Sequence, residues 1–301
     1  MCYPRSAICK IVVRAVGLID WGQNERTDRP VSLSQYKDSI VTTPTATSQI
    51  KIGPLVLEPT PRWIRAKIGD VTVADSKRVL LLWQEGKVLP VYFFPRPDVR
   101  ADLLRPSEHP LPEDYHELAS YWALELGGRV IENAAWTYSS VPLLAGEWLE
   151  QYIALRWKAM EAWYEEEERV LGHPRDPYHR VDTRESSRHV RVVLDGETIA
   201  DSRQPRLVFE TGHPTRYYLT PEDVRMDLLT PSETRTLCAY KGEASYWSAN
   251  LGDEVYDDVA WSYPEPLSDN PQIRGLVCFF NERADIYLDD EKLERPVTQW
   301  S

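Results

Sequence analysis

The sequence predicts a mainly β protein made of two tandem homologous antiparallel β domains, each with a short helix. Segments of the first half return in the second half at an offset of 125 to 126 residues, whereas a solenoid unit has roughly 20–50 residues. Both copies consist of short β-branched or aromatic runs separated by turn residues, which is typical of strands. The 301 residues are also enough for two domains that each bury a core. The matching segments are 74–76 with 200–202, 98–104 with 223–229, 120–122 with 245–247, and 135–138 with 260–263.

The domain boundaries follow from the repeat and from local composition. Residues 20–60 show little periodicity, which indicates a loosely ordered arm. Pro174 and Pro177 forbid a helix interior between the copies and keep their neighbours extended. We therefore expect an irregular N-terminal arm at 1–60, a first repeat domain at 61–170, a linker at 171–187 and a second repeat domain at 188–301.

Strands and hairpins can be placed in both copies. In the first copy, strand-like runs cover residues 63–68, 70–74, 79–83 and 91–94. Turn pairs between strand-like runs are strong hairpin signals. The predicted turns are Gly127 with Gly128 in the first copy, and Asp195 with Gly196 and Gly252 with Asp253 in the second.

One helix per copy is predicted from apolar spacing. Between residues 146 and 159, Trp148, Tyr152, Leu155 and Ala159 recur at intervals of three or four, as on one face of a helix. The counterpart in the second copy is shorter and begins near Pro271.

Composition excludes several classes of partner. The net charge of −12 repels phosphate backbones, and no stripe of Lys and Arg offsets it, so we expect no nucleic-acid partner. No run approaches the roughly 18 apolar residues of a membrane span, so we expect a soluble protein with no membrane partner. The four cysteines lack CxxC spacing, which favours a reducing, cytoplasmic location. Residues 1–19 carry three basic and no acidic residues, so a mitochondrial presequence is the alternative.

The linker between the copies is rich in side chains that bind metals. His173, Asp176, His179 and Asp182 offer imidazole and carboxylate ligands. Metal sites are normally held on rigid elements, however, and two prolines interrupt this segment. The sequence therefore favours a packed strap between the domains, with its arginines paired to Asp or Glu, and predicts no metal site.

Several segments of the second copy carry a family resemblance. Residues 201–203, 217–218, 223–229, 240–248 and 260–264 resemble the domain-of-unknown-function 427 family, and the first copy resembles it more weakly. The family also has a nucleotidyltransferase-like label, but the chain lacks a Gly-Ser nucleotide loop followed by a spaced Asp pair. The resemblance implies a compact, mainly β domain of unestablished activity, similar to tent-like β folds.

The copies differ where catalytic chemistry would lie. Cys238, Tyr240, Lys241 and Glu243 offer a thiol, a phenol, an amine and a carboxylate within six residues, and the aligned residues 113–118 do not keep this pattern. If they converge on a pocket, they supply a nucleophile and an acid–base partner. In the structural alternative, Tyr240 packs, Lys241 pairs with an acid and the following glycine makes a turn.

The ligand-binding candidates are mostly aromatic. We expect Trp247 and Trp261 on neighbouring strands beside Lys241, where they could stack a planar ligand or hold a cation. Most aromatic residues form core, which is the alternative. For Arg225, the alternative to ligand binding is an ion pair with Asp201. Both residues recur in the first copy, where Arg100 would pair with Asp75. The full candidate set is Tyr218, Arg225, Trp247, Trp261 and Tyr263.

The sequence leaves three functions open. The first is a small-molecule-binding module with a pocket in the second repeat, whose partner is a metabolite and whose first copy is degenerate. The second is an enzyme that acts on a small metabolite, with Lys241 or Cys238 as the nucleophile and Glu243 or Tyr240 for proton transfer. The third is a non-catalytic scaffold. No motif implies a cofactor, and the sequence does not define an oligomeric state.

Overall fold

A computed structural model describes residues 49–52, 55–84, 86–107, 119–139 and 149–301. This part of the chain is mainly β, with four antiparallel sheets in two tandem domains, which confirms the predicted fold class. Most of the expected N-terminal arm and the aligned segment 113–118 lie outside the described residues. In the described part, no helix has the length and apolar character needed to cross a bilayer.

The strands of the first repeat form a large sheet in the order β1-β2-β5-β6-β10-β9-β8-β7 and a small sheet in the order β12-β11-β3-β4. They are β1 Ile50–Ile52, β2 Leu55–Pro59, β3 Ile64–Ile68, β4 Val71–Ser76, β5 Leu80–Gln84, β6 Val91–Pro95, β7 Leu104–Pro106, β8 Ala119–Leu126, β9 Arg129–Tyr138, β10 Tyr152–Leu155, β11 Ala162–Glu165 and β12 Glu168–Val170.

Apart from β1, which has no counterpart among the described strands, the second repeat has the same topology, with a large sheet in the order β13-β16-β17-β21-β20-β19-β18 and a small sheet in the order β15-β14-β22-β23. Its strands are β13 Val181–Glu185, β14 Val190–Leu194, β15 Glu197–Ser202, β16 Arg206–Glu210, β17 Arg216–Leu219, β18 Leu229–Cys238, β19 Gly242–Leu251, β20 Glu254–Ser262, β21 Val277–Phe279, β22 Asp285–Leu288 and β23 Glu291–Lys292.

In each repeat, strands precede the boundary that the sequence suggests: β1 and β2 in the first repeat and β13 in the second. β2 lies within the expected arm and β13 within the expected linker, and both occupy the same place beside the next strand of the large sheet. Residues 50–52 and 55–59 are therefore strands and not irregular. Short runs that contain Pro59 or several charged residues give a weak strand signal in the sequence. Their strand conformation also depends on backbone pairing with strands distant in sequence, which local composition does not reveal.

The three predicted hairpins are present. β8 pairs with β9, β14 with β15, and β19 with β20, each across the expected turn. Asp195 and Gly196 both have positive φ, 49° and 82°, as the tight two-residue turn requires.

The predicted helices are wrong: the described residues at these places form 3₁₀ turns and a strand. Of residues 146–159, the described part consists of the turn Leu149–Gln151, strand β10 and the turn Trp157–Ala159. The counterpart at Pro271 is the 3₁₀ turn Pro271–Ile273. β10 fills the place between β6 and β9 in the large sheet, so sheet pairing overrides the helix-like spacing.

The central strands β17 and β21 of the large sheet of the second repeat are buried on both faces. The sheet's inner face packs on the small sheet, as Tyr217 and Leu219 of β17 do. Its outer face carries a separate cluster that includes Tyr218 and Trp261. Successive side chains of a strand point to opposite faces, so neighbours in sequence belong to different environments.

A serine–aspartate contact explains part of the repeated sequence. Ser76 Oγ donates to Asp98 Oδ2 and Ser202 Oγ donates to Asp223 Oδ2, both at 2.6 Å. Both serines are buried. In the first copy the contact ties the end of β4 to the 3₁₀ turn that follows β6. In the second copy it ties the end of β15 to the 3₁₀ turn that follows β17.

We expect Ser202→Ala to lower the free energy of unfolding by about 1–3 kcal/mol, because the Asp223 carboxylate loses a partly buried hydrogen-bond donor. Chemical denaturation measures the change. Ser187→Ala, at an exposed position of the same repeat, is the control and should have little effect. Equal stability of the two variants would contradict the structural role of Ser202.

The alternative ion pair between Asp201 and Arg225 does not form. Arg225 donates to Asp227 at 2.8 and 2.7 Å, and Asp201 instead contacts His189 at 2.9 Å. The first copy does the same with Arg100 and Asp102. An arginine two residues from an aspartate in a tight turn satisfies it locally, so no partner on the hairpin is needed.

Candidate functional site

The segment 171–180, which we call the strap, contacts both repeats. The backbone N–H of Arg175 donates to Tyr92 Oη of the first repeat at 3.2 Å, and that of Asp176 donates to Tyr240 Oη of the second at 2.8 Å. The Arg175 side chain is paired with Asp269. The strap is thus packed, with an arginine paired to an acid, as its sequence indicates.

Lys241 lies at the centre of a buried polar cluster under the strap. Its Nζ donates to Glu210 Oε2 at the end of β16, and the two side chains are only 9% and 6% exposed. Glu210 Oε1 lies 3.1 Å from His179 Nε2 of the strap. Burial opposes ionisation of Glu210, but Lys241, with smaller contributions from His213 and His179, holds its pKa below the ordinary value.

His213 and Trp300 form the solvent side of this cluster. His213 is exposed, and its ring centroid lies 6.0 Å from that of His179 and 5.7 Å from that of Trp300. Trp300 is 36% exposed. Solvent therefore reaches the histidines although Lys241 and Glu210 are covered.

Tyr240, in the turn between β18 and β19, and Cys238, the last residue of β18, lie beside the cluster. The Tyr240 ring stacks on His179 with centroids 4.3 Å apart and planes at 17°, and burial raises the pKa of its phenol to about 12. Cys238 Sγ accepts a weak hydrogen bond from Tyr240 N at 3.5 Å. These contacts match the structural alternative for Tyr240 and for Lys241.

Three of the aromatic candidates lie together on the outer face. Trp261 Nε1 donates to Tyr218 Oη at 3.0 Å, and both side chains are buried. Burial raises the pKa of Tyr218 and that of Tyr263 well above the ordinary value, and Glu210 raises both further. Tyr218, Trp261 and Tyr263 thus form the wall behind the cluster and are core residues in this state.

The other three candidates lie elsewhere. In the register of β19 with β20, Tyr246 pairs with Trp261, and Trp247 therefore points to the inner face. The two tryptophans do not form the expected cage. Glu243 is exposed on β19, and Arg225 is exposed beside Asp227.

The cluster is a feature of the second copy in the part of the chain that the structure describes. Glu210 ends β16, and the equivalent strand β5 ends in Gln84, which carries no charge. His116, which aligns with Lys241, lies outside the described residues. The first copy forms the same sheet with Gln84 at the position of Glu210, so the fold itself does not require the Lys241–Glu210 pair.

Sequence reasoning missed four polar residues of this region: Glu210, His213, Arg216 and Glu282. Arg216 donates to Glu282 through both guanidinium nitrogens at 2.7 and 2.8 Å, with side chains 5% and 0% exposed. The Arg216 guanidinium lies 5.4 Å from the Trp261 ring. The sequence carries one signal for these residues. Side chains alternate between the two faces of the sheet along β16 and β17, and this alternation places a charged residue at a position that the sheet buries.

A shallow cleft also lies beside the small sheet of the second repeat. It is lined by Asp285 and by residues 292–295, and the cluster contributes none of its walls. Lys292 and Arg295 are paired with Asp285 there. The pairs there are partly exposed, whereas the Lys241–Glu210 pair is buried beside two histidines, so we place the candidate site at the cluster.

The fold and the cluster together define a tandem β-domain protein with a candidate site in its second domain. The chain belongs to the family described as Domain of unknown function (DUF427), whose sequence model matches residues 56–166 and 182–290. The two matches begin within β2 and β13, in agreement with the topology, and they confirm the resemblance seen in the sequence. No curated protein matches the chain.

Proposed function

We propose that the chain is a small-molecule-binding module whose ligand contacts the cluster of the second repeat. The observation that carries this proposal is the buried Lys241–Glu210 pair, because the equivalent strand of the first repeat ends in the neutral Gln84. Burying two charges costs free energy that their attraction offsets only in part, and such groups are often retained for function. The fold is kept in the first copy with Gln84 in this place.

The chemistry of the cluster suggests the class of ligand. His179 and His213 supply ring nitrogens, and Trp300 presents a partly exposed indole on the same side. Aromatic faces stack planar groups, and a few placed polar groups fix orientation. The ligand we propose is a small metabolite with a planar ring and polar substituents, bound without turnover.

The geometry favours binding over covalent catalysis. The Lys241 ammonium donates to Glu210, so in this state it acts as a hydrogen-bond donor and not as a nucleophile. Cys238 Sγ accepts a hydrogen bond from the backbone N–H of Tyr240, which lies two residues further along the chain. If a substrate is found that the protein turns over, unchanged turnover in Lys241→Ala and Cys238→Ala would exclude both residues as the nucleophile.

We expect a thermal-shift screen of metabolites, run with a chelator present, to give a ligand whose stabilisation rises with its concentration relative to the dissociation constant. Trp300→Ala should reduce that shift, because the ligand loses its stacking surface. Phe209→Ala is the matched control: Phe209 is 45% exposed and precedes Glu210, but points to the other side of β16.

Two outcomes would count against the proposed site. The first is a hit whose shift is equal in the wild type and in Trp300→Ala. The second is a hit weakened by Phe209→Ala or by Trp247→Ala, which would place the ligand on the opposite face of the sheet. A complete absence of hits would favour the scaffold alternative.

A further inference from the structure

Two histidines of the cluster lie close to the Glu210 carboxylate. The ion pair of Lys241 and Glu210 alone does not explain their position. One ligand atom from each of His179, Glu210 and His213 lies within 4.8 Å of the others. The residues come from the strap, from the end of β16 and from the turn that follows it. They form a mixed set of two imidazoles and one carboxylate.

The spacing suits a small metal ion. Ligand atoms about 2.1 Å from a tetrahedral ion lie roughly 3.4 Å from one another. The distance between His179 Nε2 and Glu210 Oε1 is 3.1 Å, so these two ligand atoms need to move little to bind one ion. The other two distances between ligand atoms are at most 4.8 Å, and the His213 side chain is exposed.

The orientation of His213 points to a ligand independently of these distances. Its Nδ1 lies 2.9 Å from the carbonyl oxygen of Thr211. A neutral imidazole that donates from Nδ1 leaves the lone pair of Nε2 available, and metal-binding histidines usually donate their other ring N–H to a carbonyl or a carboxylate. The contact to Thr211 therefore fixes the tautomer that a metal requires.

The backbone holds these three residues in place. His213 N donates to Glu210 O at 3.1 Å, and Thr211 N donates to Arg180 O of the strap at 3.0 Å. The His179 ring is stacked on Tyr240. Contrary to what the prolines of the linker suggest, the segment around His179 is pinned to a strand and to a tight turn, which gives the rigidity that metal sites need.

Lys241 orients the carboxylate. Its ammonium binds Oε2 of Glu210, so Oε1 is directed toward the histidines. Carboxylates that bind metals are commonly held by such a hydrogen bond on the other oxygen. The ammonium also repels a cation, which limits the affinity but leaves the coordinating atom available.

We propose that His179, Glu210 and His213 bind one divalent transition-metal ion of the zinc type. Imidazole nitrogens favour zinc and its neighbours over calcium and magnesium, which prefer oxygen ligands. Three protein ligands leave a coordination position open, where a small molecule or water completes the shell. The proposal goes beyond the ligand-binding function and does not depend on it.

Isothermal titration of the chelator-treated, untagged full chain with Zn²⁺ tests the proposal directly. We expect binding of one ion per chain, and absorption bands of a tetrahedral or five-coordinate Co²⁺ complex when Co²⁺ is the probe. His213→Ala should weaken Zn²⁺ binding at least tenfold and abolish the Co²⁺ bands. His213 is exposed, so this variant should keep the fold, which a thermal melt verifies.

His173→Ala is the matched control, because His173 belongs to the same strap and its Nδ1 contacts Pro174 O. Its affinity for Zn²⁺ should equal that of the wild type. The proposal is overturned if the wild type binds no stoichiometric ion, or if His213→Ala and His173→Ala bind equally well. The titration contains no metabolite and the thermal-shift screen contains a chelator, so either proposal fails without the other.

Discussion

Arg216→Ala is expected to lower the free energy of unfolding by about 3–5 kcal/mol, because it leaves the Glu282 carboxylate buried without its cation. The Glu282 side chain is 0% exposed and accepts both guanidinium hydrogen bonds. Thr298 Oγ1 also donates to it at 2.6 Å, which offsets only part of the loss. Urea denaturation of the variant and the wild type measures the change.

The dependence of this effect on pH has a definite sign. Burial opposes ionisation of Glu282, but hydrogen bonds from Arg216 and Thr298 hold its pKa below the ordinary 4.5. A carboxylate with a lowered pKa in the folded state stabilises the fold above the unfolded pKa and loses that contribution as the pH falls through the folded pKa. The difference in the free energy of unfolding between the wild type and Arg216→Ala should therefore be complete at neutral pH and should shrink below pH 4.5.

The surface pair of Arg225 and Asp227 provides the control. It has the same bidentate geometry, with distances of 2.8 and 2.7 Å, but both side chains are about half exposed or more. Surface pairs contribute little, so Arg225→Ala should leave stability nearly unchanged. If Arg216→Ala is no more destabilised than Arg225→Ala, the buried pair does not have the importance that its burial implies.

Local signals in the sequence predicted local structure well. The hairpins at Gly127, Asp195 and Gly252 follow from two-residue turns that need positive φ, and the structure has all three. The helix at 146–159 failed because three- to four-residue spacing also arises by chance, and strand pairing with β6 and β9 decides the conformation of residues 152–155.

The site could be predicted only in part, because its contacts are long-range. Lys241 and Tyr240 were found from their chemistry, but the partner of Lys241 lies 31 residues away and that of Arg216 lies 66 residues away. The pairing register of the strands determines the face of the sheet to which each tryptophan points. A register shift of one residue would have placed Trp247 with Tyr218 on the outer face. Sequence alone does not define that register.

Lys241→Met is expected to destabilise the protein by about 3–5 kcal/mol, because Glu210 stays buried and loses the cation that compensates its desolvation. Glu210→Gln alone should also be destabilised, since it leaves the Lys241 ammonium buried without a carboxylate. Lys292→Met, in the more exposed pair with Asp285, is the control and should change stability little. Chemical denaturation in the presence of a chelator compares the three variants.

The double variant Glu210→Gln with Lys241→Met separates stability from function. Replacing a buried pair by neutral residues of similar volume is often close to neutral, so the double variant should regain most of the stability that either single variant loses. Gln at position 210 is also what the first repeat carries at Gln84. If the pair serves the site, the refolded double variant will lose the response to the ligand found by screening although its stability returns. Recovery of both properties would show that the pair of Lys241 and Glu210 is only structural.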